Sequence, residues 1–479
     1  MNRPITRLYV IVATMFLLLI AFTSRWTVFE ASSLRNNSLN ARPLLEQEHI
    51  ARGDLRASNA ALLAHSVRGA ESKYTRVYPS AELFAHPIGY YYTDLGSTGL
   101  ERYRNERLEG LTGSNLQAIL NQLQGIKPAG DEVVTTLVPN AQRVAESALA
   151  GHRGAVVALD PHTGAVEVMA SSPSYDPNRL AGEGGSRELE ALERAGNGAL
   201  VNRATQFGYA PGSTFKVVTA TAAIDSGQYT PESLVNGRNN VVVSGVKLSN
   251  DNNESFGSIS LIKALALSVN TVWAQVAEHL GKPTLGRYMT RFGFNRKPQL
   301  DYPAEEMSVN AEYSNGRPIP PTSPLVDLGR LGIGQDKLEA TALQMADVAA
   351  AVANHGTLMV PHLTRRIVDS EGRTVEVIAP RVQSVVMKPS TARAVTSMMI
   401  AVVVEGTGTP ARIPGVAVAG KTGTAETQFG AKPNNAWFIA FAPANAPRVA
   451  VAATLQDVPG YGATYAAPVA REVMESLLK

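Results

Sequence analysis

The sequence predicts an α+β protein: a mostly antiparallel sheet covered by helices, preceded by a small α+β segment and one membrane-crossing helix. Three observations predict it. An uncharged run, LYVIVATMFLLLIAFTS from Leu8 to Ser24, lies near the start. Two strand-like stretches, GAVVALD and AVEVMASS, flank the turn PHTG, and three more, VAVAGKTGTAE, AWFIAFAP and RVAVAATLQ, come near the end. A long region of helical periodicity separates the two groups. Strands joined by short connections pair antiparallel, and apolar helix stripes must be buried against the sheet.

At 479 residues more than one domain is expected. Hydrophobic residues at 44% and charged residues at 18% give an ordinary globular balance. A net charge of +3 is too small to argue for a nucleic-acid partner. There is no cysteine, which excludes disulfides and thiolate metal sites.

The elements follow in order. The run from Leu8 to Ser24 nearly spans a hydrocarbon core of about 30 Å at about 1.5 Å per residue. Arg3 and Arg7 precede it and favour a cytoplasmic N-terminus, with the remainder outside. The run ends in FTSRWTVFE, without the small residues of a signal cleavage site, so an uncleaved anchor over 1–25 is expected. Residues 26–135 are polar and mixed, with strand-like KYTRVYP and GYYYTD and a helix-like SNLQAILNQLQG. They read as a pedestal or dimerisation-type domain. The main unit, 136–479, starts with helix-like AQRVAESALAG and a hairpin with Gly164 in its turn. Helices are then expected at KVVTATAAIDSG, SLIKALALSVNTVWAQVAEHLG, ATALQMADVAAAVANHG and STARAVTSMMIAVVVEG, each stopping at Gly. APVAREVMESLLK forms a final helix.

The chemistry begins with YAPGSTFKVVTA at 209–220, where Ser213 and Lys216 stand three apart. The pattern S-x-x-K recurs at Ser244/Lys247, Ser260/Lys263 and Ser476/Lys479, so the spacing alone means little. A serine hydroxyl is a weak nucleophile and needs a base. Pro211-Gly212 puts Ser213 in the first turn of a helix, and Lys216 then shares its face. Apolar neighbours, with Lys421 as a second cation, are expected to lower the Lys216 pKa.

The segment from Gly415 to Thr422 matches the nucleotide P-loop pattern G-x-x-x-x-G-K-[ST]. Its middle residues, Val-Ala-Val-Ala, alternate as a strand does, and no apolar helix follows, so a P-loop NTPase is disfavoured. Read as a strand, the same place offers Lys421 as a positive charge and the hydroxyls of Thr422 and Thr424 for a carboxylate. Gly423 is expected to let a substrate backbone approach. Strand alternation puts Lys421 and Thr422 on opposite faces, so both serve one cleft only on an edge strand. Ser268-Val269-Asn270 interrupts two helix-like pieces, where Ser and Asn favour a turn. S-x-N also occurs at Ser38 and Ser308.

Ser213-x-x-Lys216, Ser268-x-Asn270 and Lys421-Thr422-Gly423 occur in the order found in serine acyltransferases that react with penicillin. With NRATQFGYAPGSTFK, SSPSYDPN, IGQDKLEATALQMADVAAAVANHG, VAGKTGTAETQFG and NAWFIAFAP, the sequence resembles the class B, monofunctional penicillin-binding proteins, above all the short actinobacterial members. The resemblance implies a penicillin-binding, serine β-lactamase-like transpeptidase domain, with a five-stranded antiparallel sheet and helices on both faces. It implies a peptidoglycan D,D-transpeptidase that works without cofactor or metal. Ser213 is then acylated and terminal D-Ala leaves. Lys216 is the base, and Ser268 relays a proton with Lys421 nearby. Asn270 holds the substrate amide, and Thr422 and Thr424 meet the carboxylate. The backbone N–H groups of Ser213 and Thr424 form the oxyanion hole. The implied partners are D-Ala-D-Ala stem peptides, an amine acceptor, β-lactams as covalent inhibitors, and a polytopic glycosyltransferase with other wall-synthesis proteins. The alternatives are a D,D-carboxypeptidase, in which water takes the acyl group, and a non-catalytic wall-synthesis scaffold. A β-lactamase is disfavoured because no hydrolytic carboxylate can be placed.

Overall fold

The structure, a computed structural model, describes residues 3–25, 48–69, 72–110, 129–182, 184–428 and 431–479. The expected helix at SNLQAILNQLQG, 114–125, lies outside these residues. The apolar run forms helix α1 (Arg3–Ser24), long and apolar enough to cross a membrane and with no residue buried against the protein.

The pedestal is organised by a six-stranded sheet. Strands β1 (Leu55–Arg56), β2 (Leu62–Arg68), β3 (Tyr74–Val77) and β4 (Glu132–Thr135) come from the first part of the chain. The sheet is completed by a hairpin from far downstream, described below. A buried ionic cluster sits beside it. Glu101 accepts from Arg52 at 2.9 Å and Arg76 at 2.6 Å, Arg52 also pairs with Glu109 at 2.9 Å, and the Arg52 guanidinium lies over the Tyr91 ring. Burial alone would raise the Glu101 pKa, but Arg76 and then Arg52 outweigh it and hold the carboxyl below its ordinary range.

The main unit is built on a second sheet. Helix α2 (Pro139–Leu149) starts with Pro at its first position, where its missing N–H costs nothing. Strands β5 (Gly154–Leu159) and β6 (Val166–Ser172) form the expected hairpin, with Gly164 at φ 79° in its turn. The helical region supplies α3 (Lys216–Asp225), α4 (Leu261–Ala266), α5 (Asn270–Arg291), α6 (Ala342–Ala353) and α7 (Pro389–Glu405). The Thr341 side chain caps α6 by accepting from Gln344 N. Helix α5 does not stop at Gly281 as its sequence predicts. The chain kinks there at φ 75° and, with Pro283 just beyond, resumes to Arg291.

Between α6 and α7 runs the hairpin β7 (Thr364–Val368) and β8 (Thr374–Val377), which completes the first sheet in the order β8-β7-β4-β1-β2-β3. Val133 pairs with Leu55 on one side and Ile367 on the other. Strand pairing therefore crosses the boundary expected at 135/136, and one apolar cluster runs from Leu55 and Leu63 to Val157 and Phe215.

The last strands, β9 (Ala419–Gln428), β10 (Ala431–Ala442) and β11 (Val449–Val458), join the first hairpin in the order β9-β10-β11-β5-β6, antiparallel throughout. Helix α8 (Gly462–Leu478) closes the chain. Alternation divides the sheet into two faces. Val157, Trp437, Ile439 and Ala452 pack toward the helical region, whereas Val156, Phe438, Val451 and Ala453 join the cluster of α2 and α8. The expected five-stranded sheet with helices on both faces is thus present, and β9 is its edge.

Candidate active site

Ser213 lies in a single tight turn, Gly212–Phe215, that runs into α3 at Lys216. Gly212 has φ +53°, and a Cβ there would stand 2.7 Å from Thr424 O. Only glycine lets this turn press on β9. Gly212 N donates to Gly334 O at 2.9 Å, fixing the turn from the other side. Gly423 is the reciprocal contact. A Cβ there would meet Pro211 O at 2.7 Å and the Thr214 methyl at 2.9 Å. The missing side chain of Gly423 thus admits the Ser213 turn, a contact its sequence did not suggest.

Lys216 and Lys421 are both 0% exposed. The Lys216 ammonium donates to Ser268 O at 2.7 Å, Asn270 Oδ1 at 2.6 Å and Ser268 Oγ at 3.3 Å. Lys421 Nζ donates to Ser268 Oγ at 2.9 Å, Thr422 O at 3.0 Å and Thr422 Oγ1 at 3.3 Å. Ser268 is therefore the meeting point of the two lysines. It sits between α4 and α5 at φ 59°, a left-handed position costly for a serine, as functional positions often are.

Burial lowers the Lys216 pKa to about 7, with the charge of Asp251 opposing. Lys421 is pushed well below its ordinary value, by burial first and then by the charge of Lys216, and Asp251 again opposes. Desolvation is the largest cause for both lysines, and their like charges disfavour each other, because two ammonium groups on one hydroxyl cannot both stay charged cheaply.

The edge position of β9 resolves the two-face problem. Lys421 points toward the helices, and its neighbours Thr422 and Thr424, paired with Phe438 and Ala436, belong to the other face at the sheet's rim. The Thr422 hydroxyl is 2.6 Å from that of Thr407 and within reach of Lys421. The Thr424 hydroxyl accepts from Gly462 N at 3.2 Å, which leaves its own proton free to donate. Lys216, Ser268, Asn270, Lys421 and Thr422 thus form one hydrogen-bonded set. Ser213 adjoins it through the chain, and its hydroxyl makes no hydrogen bond to a described residue. Catalytic hydrogen bonds are often long before substrate arrives.

The competing patterns fall elsewhere. Residues 419–428 are one continuous strand, not a turn opening into a helix, so the P-loop match is geometrically void. Ser244 occupies a hairpin turn bonded to Glu278. Ser260 holds the N-cap position of α4, but its side chain makes no capping bond. Ser476 lies in α8, and Ser308 donates to Gln206 O. Sequence reasoning missed Thr407 and Asp251. Asp251 accepts from Asn270 Nδ2 at 3.1 Å, but in SNDNNES it reads as an ordinary polar turn.

The family described as the penicillin binding protein transpeptidase domain matches residues 154–475, and the penicillin binding protein A dimerisation domain matches 52–133. The peptidoglycan D,D-transpeptidase PbpA of Mycolicibacterium smegmatis is 35% identical over 100% of this chain and 99% of its own. The structure of penicillin-binding protein A from M. tuberculosis, a ceftriaxone acyl-enzyme complex, superposes with TM-score 0.81 at 32% identity, covering 91% of this chain and 100% of that one. A D,D-transpeptidase domain from Eggerthella lenta gives TM-score 0.78 at 31% identity over 90% and 98%. The chain belongs to the class B penicillin-binding proteins.

Proposed function

We propose that this protein is a peptidoglycan D,D-transpeptidase that acts through an acyl-enzyme on Ser213. The observation that carries the reading is the Ser268 hydroxyl held between two buried lysines beside the Ser213 turn. Neutral Lys216 takes the Ser213 proton as Oγ attacks the carbonyl of the penultimate D-Ala. The tetrahedral oxyanion is met by the backbone N–H groups of Ser213 and Thr424, whose turn and strand are in contact. The C–N bond to terminal D-Ala then breaks. Ser268 accepts from the lysines and has its own proton to donate, so it passes that proton to the leaving amine and is reprotonated by a lysine. An acceptor amine attacks the ester, forms the cross-link and frees Ser213.

Thr422 and Thr424 donate to the terminal carboxylate, and Asn270 Nδ2 donates to a substrate amide carbonyl. Residues 1–25 anchor the protein with the N-terminus in the cytoplasm, 26–135 act as a pedestal, and 136–479 carry the chemistry outside the membrane. A polytopic glycosyltransferase is the partner this arrangement suits. Purified protein supplied with D-Ala-D-Ala stem peptides and an amine acceptor is expected to release D-Ala and form cross-linked product, read by mass spectrometry. D-Ala release without cross-linking would indicate a carboxypeptidase, and neither product would overturn the reading.

A further inference from the structure

The Asn270 amide is tied at both ends. Its Oδ1 accepts from Lys216 at 2.6 Å, and its Nδ2 donates to Asp251 Oδ1 at 3.1 Å. A primary amide has one acceptor oxygen and two N–H donors. Turning it over would place its NH2 against the lysine and its carbonyl against the carboxylate. An amide between a donor and an anion therefore has one orientation. One N–H is committed to Asp251. The other has only Ser249 O at 3.5 Å, a weak contact that a substrate carbonyl can replace.

The placement of Asp251 is itself built in. It opens a short turn, Asp251–Asn253, immediately after Asn250, which is 4% exposed. Asn250 Oδ1 accepts from Thr271 N at 2.9 Å, in the first turn of α5. Asn250 Nδ2 donates to Gly237 O at 3.1 Å and Glu254 O at 3.0 Å. The turn bearing Asp251 is thus pinned to the helix that begins with Asn270.

We infer that Asp251 is a positioning residue for acyl transfer: it fixes the Asn270 amide so that the carbonyl faces Lys216 and one N–H faces the incoming peptide. The inference rests on the Ser213 reading above. The charged groups meeting here are Lys216 from α3, Lys421 from β9 and Asp251 from its turn, and Asp251 is the carboxylate that acts on both lysines. Its negative charge favours their protonated forms, opposing burial. The side chain is exposed, so this influence is moderated by solvent.

Two variants separate orientation from charge. Asp251→Ala removes both the acceptor and the charge, whereas Asp251→Asn keeps an acceptor and removes the charge. Acylation rates with a fluorescent penicillin, measured on the full chain from pH 5 to 9, read both effects. Asp251→Ala is expected to slow acylation roughly tenfold or more on the high-pH plateau, as loss of a charge-assisted hydrogen bond does. Asp251→Asn is expected to keep most of the rate at high pH. In both variants the acid limb moves to lower pH by roughly 0.5 to 1 unit, because removing an anion makes Lys216 easier to deprotonate. A melting temperature matching the wild type establishes that the fold is intact. An Asp251→Ala rate and pH profile equal to the wild type's overturns the inference and leaves Ser213 standing. Failure of the wild type to be acylated overturns both.

Discussion

The Ser268 hydroxyl has two lone pairs and one proton, and both lone pairs face lysines. That arrangement directs its proton outward, which is what a relay to a leaving amine needs. It also couples the lysines, so that protonating one discourages protonating the other. In the proposed mechanism the base is Lys216, brought by burial to about 7. Its neutral form does the work, so acylation is expected to rise with pH through about 7 and to fade below it. The rate of β-lactam acylation against pH checks this, and a flat profile from pH 5 to 9 would remove Lys216 as the base. Lys216→Ala is expected to slow acylation about 10²- to 10⁴-fold, the usual worth of general-base help, and an unchanged rate would contradict the role.

At the scale of elements, the site depends on a strand meeting a turn without side chains between them. Gly212 and Gly423 make that contact from opposite sides. Gly212→Ala puts a Cβ 2.7 Å from a backbone oxygen at a positive φ, so the Ser213 turn must move. Small displacements of a nucleophile are costly, on the order of 10²-fold for 1 Å. Acylation is therefore expected to fall by about that factor while the circular dichroism spectrum holds. A variant with wild-type acylation would show that the turn is not so constrained.

This is also where sequence reading reached its limit. That Lys216, Ser268, Asn270 and Lys421 would meet was legible because each lies in a short local motif. The purpose of Gly423 was not, because its neighbours Pro211 and Thr214 are distant in sequence. Asp251 and Thr407 were illegible for the same reason: each acts through one hydrogen bond to a motif residue, and a lone polar residue in a turn carries no periodic signal.

At the scale of the whole molecule, the five-stranded sheet was legible from strand order and short connections. The shared pedestal sheet was not, since Val133 pairs with Ile367, which lies far downstream in the sequence. The pedestal's ionic cluster is a second feature of long range. Glu101, 0% exposed, balances Arg52 and Arg76. Glu101→Ala would leave Arg52 with Glu109 and take from buried Arg76 its carboxylate partner, and is expected to cost about 3–5 kcal/mol in denaturant unfolding. The stabilisation from Glu101 is present above the unfolded carboxylate pKa and is lost as pH falls through the lower folded value. A variant as stable as the wild type would mean that the cluster relaxes around the loss.

The most direct test of the account is intact-mass analysis after exposure to benzylpenicillin, followed by peptide mapping. The predicted result is one adduct per chain, located on Ser213 and absent in Ser213→Ala. An undiminished mass gain in Ser213→Ala, or none in the wild type, would contradict it.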